Sequence, residues 1–190
     1  MTVLFADIRG FTRRSAGQDP ERVFDLLNRF FSLMAHAIAA NGGTLDKFLG
    51  DGALALFGAP RQYEDHADRA VAAAVGVVAH LERLNDELRR EGQEPLTIGI
   101  GIHTGPALVG CVGATLQLPG RVSFRKEFTA IGETVNLAQR IEQLTKTLGG
   151  PILISEQTHA RLRRTVSASS LGSQAVPGSA ETLCLFRVQR

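Results

Sequence analysis

Between Leu96 and His103 the chain alternates apolar and small or polar residues: Leu96, Ile98, Ile100 and Ile102 interleave with Thr97, Gly99, Gly101 and His103. A period of two is the repeat of a β-strand, whose successive side chains point to opposite faces of a sheet. The leucine and isoleucine side needs a core, and the glycine side leaves room for another element to pack closely.

The other elements read in series. Asp19-Pro20 supplies an N-cap and a first-turn proline for a helix over about 20–40, with Val23, Leu26, Leu27, Phe30, Phe31 and Met34 on its apolar face and Asn41-Gly42-Gly43 ending it. Val3, Leu4, Phe5 and Ile8 read as a buried strand that ends on Gly10, further strands are predicted over about 44–49, 53–57, 96–103 and 107–112, and a long helix over about 64–91. A helix from Glu133 to about Leu148, a strand over 152–154, a short helix to about Arg164 and a strand near 183–188 complete the pattern. Residues 167–180, rich in Ser, Gly and Ala, read as a mobile loop. This order suits an α+β domain in which helices cover a sheet.

At 190 residues the chain fits one domain with a sizeable core. A net charge of +2 lacks the basic excess of a nucleic-acid binder, so no nucleic-acid partner is expected. Cys111 and Cys184 lie far apart and no glycosylation sequon is present, which favours the reducing cytoplasm. The longest apolar stretch, Ala70 to Ala79, is too short to span a bilayer. Thr2 already begins the first strand, an abrupt start expected of a domain cut from a longer protein with a sensor or membrane module before it.

Two aspartates stand where apolar strands meet glycines: Asp7 in Phe5-Ala6-Asp7-Ile8-Arg9-Gly10, and Asp51 in Lys47-Phe48-Leu49-Gly50-Asp51-Gly52. The second has the signature of a tight hairpin. If the strands pair, about 4.8 Å apart, the carboxylates meet, and two such groups repel unless a cation, most simply a divalent metal, lies between them. Taken singly, Asp7 reads as a strand-end carboxylate and Asp51 as an ordinary turn residue.

With a third segment, Phe128-Thr129-Ala130-Ile131-Gly132-Glu133-Thr134-Val135-Asn136-Leu137-Ala138-Gln139-Arg140, the chain resembles the catalytic domain of class III nucleotidyl cyclases, the adenylate and guanylate cyclases. The resemblance runs from Met1 to about Val166 and weakly through 181–188. It implies a ferredoxin-like, palm-like sheet with extra strands. It also implies a reaction in which the ribose 3′ oxygen attacks the α-phosphate of its own nucleotide, releasing pyrophosphate and a 3′,5′-cyclic monophosphate. Two divalent ions, magnesium or manganese, would be held by Asp7, Asp51 and the backbone carbonyl of Ile8.

The resemblance also implies that Lys47 and Thr129 read the base, that Asn136 orients the ribose and that Arg140 contacts the phosphate. Lys47 is conspicuous on its own account, because only Lys47, Lys126 and Lys146 among 21 basic residues are lysines. Lysine is purely a donor and suits adenine N1, whereas a threonine hydroxyl both donates and accepts. Asn136 and Arg140, four apart, share one face of a helix, which alone describes any solvated helix surface. The family site is shared between protomers, so a chain holding the full set is expected to work as a homodimer.

The expected activity is ATP to cyclic AMP. The alternatives are a guanylate or relaxed-specificity cyclase, left open by Thr129, and a silent nucleotide-binding or dimerisation module. Threonine at this position also motivates a test of stimulation by bicarbonate. Gly42-Gly43-Thr44-Leu45 does not supply the signature of a diguanylate cyclase. Residues 114–127, with Pro119-Gly120 and the cations Arg121, Arg125 and Lys126, read either as an arm reaching a partner protomer or as a disordered surface loop. None of the five histidines, His36, His66, His80, His103 and His159, has metal-ligand spacing.

Overall fold

A computed structural model describes residues 1–118, 121–178 and 182–189. Strand β1 (Thr2–Ile8) is flanked by β3 (Gly52–Phe57) and β4 (Ile98–Thr104), both antiparallel to it. Strand β2 (Thr44–Leu49) closes the edge beside β3. On the other side β7 (Ile152–Ser155) runs parallel to β4, followed by β9 (Thr182–Val188) and the edge strand β8 (Ala168–Ala175), giving the order β2-β3-β1-β4-β7-β9-β8. A separate hairpin pairs β5 (Leu108–Leu118) with β6 (Arg121–Ile131).

The period of two sorts the sheet into two faces. Leu4, Ala6 and Ile8 of β1 join Ile98, Ile100 and Ile102 of β4 in one core with helices α2 (Pro20–Ala40) and α3 (His66–Arg90). Val3 and Phe5 face the other way, toward Leu54, Leu56 and Ala138, the last of these on helix α4 (Glu133–Leu148). Each fully buried side chain, such as Phe30, Met34, Leu4 or Ile100, contributes roughly 1.5–3 kcal/mol. Helix α2 is long and apolar enough to cross a membrane by length and composition. Here its Leu26, Phe30, Met34, Ala37 and Ile38 are packed into the core.

The glycines of β4 do what their spacing implies. A Cβ at Gly101 would lie 2.5 Å from the carbonyl oxygen of Ala138 and closer still to the amide of Glu142, so α4 rests directly on the strand backbone. Helix α2 starts as expected, with the Asp19 carboxylate accepting from the Glu21 amide at 3.1 Å ahead of Pro20. At the far end of α4 the chain turns through Gly149 and Gly150 at φ of 74° and 83°. Arg187 of β9 donates to the carbonyls of Leu148 and, at 3.2 Å, Gly149, satisfying groups that a helix C-terminus leaves open.

A chain of buried hydroxyls crosses the sheet end. The Thr2 hydroxyl lies 2.8 Å from His66 Nδ1 and 2.7 Å from that of Thr104. Thr104 meets Thr158 at 3.0 Å, Thr158 meets Ser155 at 3.2 Å, and Ser155 lies 2.8 Å from His103 Nδ1.

Three expectations change. The segment read as a mobile loop contains β8, which pairs antiparallel with β9 through a bulge between Ser170 and Gly172. Leu171 and Val176 pack into the cluster built on Leu137, Ile141, Leu153 and Leu185. As an edge strand it needs little apolar alternation, which is why its composition resembled a loop. Residues 179 and 180 of that segment lie outside the described residues. The strand begun at 107 continues to Leu118, and 121–131 is a strand of its own, so the segment around 114–127 is a β-hairpin and not a disordered loop. Pro119 and Gly120 are outside the described residues. The short helix α5 spans only Glu156–His159, and a one-turn helix α1 (Phe11–Ser15) went unread.

Candidate active site

Register brings the two aspartates together. Asp7 stands opposite Gly52 at the end of the β1–β3 ladder, and Asp51 occupies the preceding turn, where Gly50 takes φ of 65°. The Ile8 amide donates to the Asp51 carbonyl at 3.3 Å. A side chain at Gly52 would meet Ala6 O at 2.7 Å and Asp7 Oδ1 at 3.0 Å, so glycine is what lets the Asp7 carboxylate lie over the hairpin. Burial first, and then the Asp51 charge, push the Asp7 carboxyl above its ordinary range, while Lys146 and Arg9 pull it back. Asp7 lines a cavity of about 130 Å³ with Leu49, Gly52, Gln139, Glu142 and Lys146. Among the described residues no three Asp, Glu, His or Cys side chains gather into a larger ligand cluster. Two neighbouring carboxylates, one of them opposed in its ionisation by the charge of the other, offer the hard oxygen donors that fit a divalent cation.

Arg9, next to Ile8, ties this strand end to α4. Its Nη1 lies 2.9 Å from Glu142 Oε1 without the alignment of a hydrogen bond, and its Nη2 donates to the Glu142 carbonyl at 3.2 Å. Burial raises the Glu142 carboxyl and Arg9 opposes that rise.

Lys47 and Thr129 line a second cavity, of about 300 Å³, with Val112, Gly113, Arg125, Glu127 and Ile131. Lys47 Nζ lies 3.3 Å from Glu127 Oε2, and the Thr129 hydroxyl donates to Asp46 Oδ2 at 2.6 Å. On α4, Asn136 and Arg140 share a partner: Asn136 donates to Glu133 Oε2 at 3.3 Å, and Arg140 reaches Glu133 Oε1 at 3.5 Å. The seven residues thus form three groups, Asp7 with Ile8 and Asp51, Lys47 with Thr129, and Asn136 with Arg140. Among the described residues no hydrogen bond or ion pair joins one group to another.

The largest cavity described, about 740 Å³, lies between α1 and residues 92–97, is rich in arginine, and contains none of the seven. Sequence reasoning missed Asp46, Glu127 and Arg9 as neighbours of the site. Asp46 was legible only as the residue before a conspicuous lysine, and Glu127 lay in a segment with no assigned structure.

The same sheet recurs in known proteins. The model of the adenylate and guanylate cyclase catalytic domain matches residues 1–188. The chain is 35% identical over 188 residues to adenylate cyclase 1 of Rhizobium meliloti, covering 99% of this chain and 27% of that protein. It spans about a quarter to a third of the length of the curated relatives it matches. The crystal structure of the adenylyl cyclase CyaB from P. aeruginosa superposes with a TM-score of 0.87 at 34% identity, over 100% of this chain and 93% of that one. That of the guanylyl cyclase Cya2 does so with a TM-score of 0.84 at 38% identity, over 98% and 90%. A family model that takes in both edges of the sheet, the hairpin and α4 leaves no part of the architecture unaccounted for: the chain belongs to the adenylate and guanylate cyclase catalytic domain family.

Proposed function

We propose that this domain is an adenylate cyclase, converting ATP to 3′,5′-cyclic AMP and pyrophosphate. The observation that carries the reading is the pairing of Lys47 with Thr129 across one cavity, a donor beside a hydroxyl, where a purine edge fits. A guanylyl cyclase stands among the structural relatives at 38% identity, so the fold leaves the base open and these side chains decide it.

Lys47 donates to adenine N1 and Thr129 meets the exocyclic amine. Asn136 holds the ribose, and Arg140 spreads its guanidinium over the α-phosphate oxygens as charge grows there. Asp7, Asp51 and the Ile8 carbonyl would hold two divalent ions. Such ions, when bound, lower the pKa of the attacking hydroxyl and neutralise triphosphate charge. Glu133 keeps Asn136 and Arg140 in one orientation before substrate arrives.

The site is completed by a second copy, with Asp7 and Asp51 from one protomer facing Lys47, Thr129, Asn136 and Arg140 of the other. Two features support this. The three groups are unconnected within one chain, and the β5–β6 hairpin exposes Leu108, Val112, Leu116, Phe124 and Ile131, each at least half exposed. An isolated two-stranded ribbon is marginal in water, and its apolar side chains suit a partner surface. Partial coverage of the relatives fits further domains in the full protein, and the free Cys111 and Cys184 fit a cytoplasmic setting.

The test is product formation from ATP and from GTP, with manganese and with magnesium, beside Asp51→Ala. Cyclic AMP that disappears in the variant is the expected result. Preferential cyclic GMP, or no cyclic product at high protein concentration, overturns the reading.

A further inference from the structure

Threonine is an ambiguous base reader, because its hydroxyl offers one donor and two acceptor lone pairs. In this chain the ambiguity is removed by a neighbour. We infer that Asp46 takes the hydroxyl hydrogen of Thr129 and so presents that oxygen to the base as an acceptor only, which makes Asp46 the residue that selects adenine over guanine. The inference rests on the adenylate cyclase reading above.

The backbone places Asp46 for this. In the β2–β3 ladder Leu45 pairs with Ala55 and Lys47 with Leu54, so Asp46 is the extra residue of a β-bulge. In a regular strand Asp46 and Lys47 would point to opposite faces. The bulge re-aims one of them, a use of bulges common beside functional sites. Both consecutive side chains then reach β6. Lys47 meets Glu127 at 3.3 Å, and Asp46 accepts from Thr129 at 2.6 Å. Glu127 and Thr129 are two apart on β6 and share a face.

The contact has the length of a charge-assisted O–H···O⁻ bond, and Thr129 is only 8% exposed, so water competes little for the hydroxyl. In this bond the hydroxyl of Thr129 donates and Asp46 Oδ2 accepts. The other oxygen, Asp46 Oδ1, is buried and has no hydrogen-bond partner among the described residues, so none of them competes for the carboxylate.

With the hydrogen committed, the cavity presents a donor at Lys47 and an acceptor at Thr129. Adenine supplies the complement, an acceptor at N1 and a donor at its exocyclic amine. Guanine supplies the reverse, N1–H facing the lysine and O6 facing the threonine lone pairs. It is mismatched at both positions, and a polar site left unpaired in this way rejects its ligand strongly.

The experiment compares wild type, Asp46→Ala, Thr129→Val and the double variant of the full chain, reading kcat/KM for ATP and GTP and the affinities for non-cyclisable ATP and GTP analogues. Asp46→Ala frees the hydroxyl to donate to O6, so the ATP-to-GTP ratio should fall about tenfold, the scale of one hydrogen bond to a charged group. Adding Asp46→Ala to Thr129→Val should move the ratio less than about twofold, since the hydroxyl it acts through is gone. If Asp46→Ala melts early, Asp46→Asn keeps the shape, removes the charge and should lower the ratio in the same direction. A wild type that favours ATP, with an unchanged ratio in a folded Asp46 variant, overturns the role of Asp46 alone. So does an equal fall in the Thr129→Val background. A wild type that favours GTP, or binds neither analogue, overturns the adenylate cyclase reading and this inference with it.

Discussion

Gly101→Ala isolates the spacing between β4 and α4. Gly101 has no positive φ, so alanine meets no backbone strain there and the obstacle is space alone. The new methyl would lie 2.5 Å from Ala138 O, where ordinary contact begins at 3.4 Å, a shortfall of about 0.9 Å; the clash with the Glu142 amide is worse. Both atoms belong to the hydrogen-bonded backbone of α4, and no side-chain rotation relieves them. The helix must therefore move outward by about 1 Å as a body. Overpacking of this kind costs about 1–3 kcal/mol, which for a chain of this size lowers Tm by roughly 2–4 °C per kcal/mol. Asn136 and Arg140 ride on the helix, and a displacement of about 1 Å at a reacting centre costs about 10²-fold in rate. Gly76→Ala is the control: in α3 its methyl makes an ordinary 3.6 Å contact with Ala37 and should add about 0.5–1 kcal/mol. Melting followed by circular dichroism and cyclic AMP formation from ATP read the two effects. A Gly101→Ala protein with wild-type Tm and activity within about twofold of wild type refutes the claim that this contact sets the position of α4.

Arg140→Ala should lower turnover by about 10²–10³ with Tm unchanged, because its partner Glu133 is exposed and stays hydrated; a comparable fall in Tm would assign Arg140 to the fold. Mixing inactive Asp51→Ala with inactive Arg140→Ala should restore activity through one intact composite site per heterodimer, and silence at every ratio would argue that sites are not shared. Burial holds the His103 imidazole down at about 4, with Glu133 opposing, so the unfolded chain binds more protons below pH 6.5 and the fold should lose about 3 kcal/mol between pH 6.5 and 4. His103→Gln should flatten that part of the stability profile, and an unaltered slope would place the titration elsewhere. The Asp7 carboxyl is raised, so the folded state binds the extra proton and stability falls as pH climbs past the ordinary carboxylate range. In metal-free buffer at pH 7, Asp7→Asn should therefore melt above wild type, and manganese should raise the Tm of wild type alone.

The alternation at 96–103, the Asp19-Pro20 start and the glycines around Asp51 were legible because each is a local rule: a period, a cap, a turn. The meeting of Asp7 with Asp51 followed once the strands were paired. Other features depend on partners distant in sequence. Strand β8 has the composition of a loop and is a strand only because β9 offers it an edge. The reach of Asp46 toward Thr129 depends on a one-residue bulge, and nothing in Leu45-Asp46-Lys47 announces which residue is extra. Glu127 became a neighbour of Lys47 only when 121–131 proved to be a strand.

The strand order is also a timetable for synthesis. The first 104 residues supply β2, β3, β1 and β4 with α2 and α3, a contiguous sheet and most of one core. Until residues 133–155 follow, β4 has a partner on one side only, and its glycine-lined face lacks the helix that covers it. An open edge beside bare backbone is a template for misplaced pairing, and the pairing that closes it is the slow kind, a parallel match between strands nearly fifty residues apart. The nascent chain is thus most vulnerable to aggregation in the interval between completing β4 and docking α4.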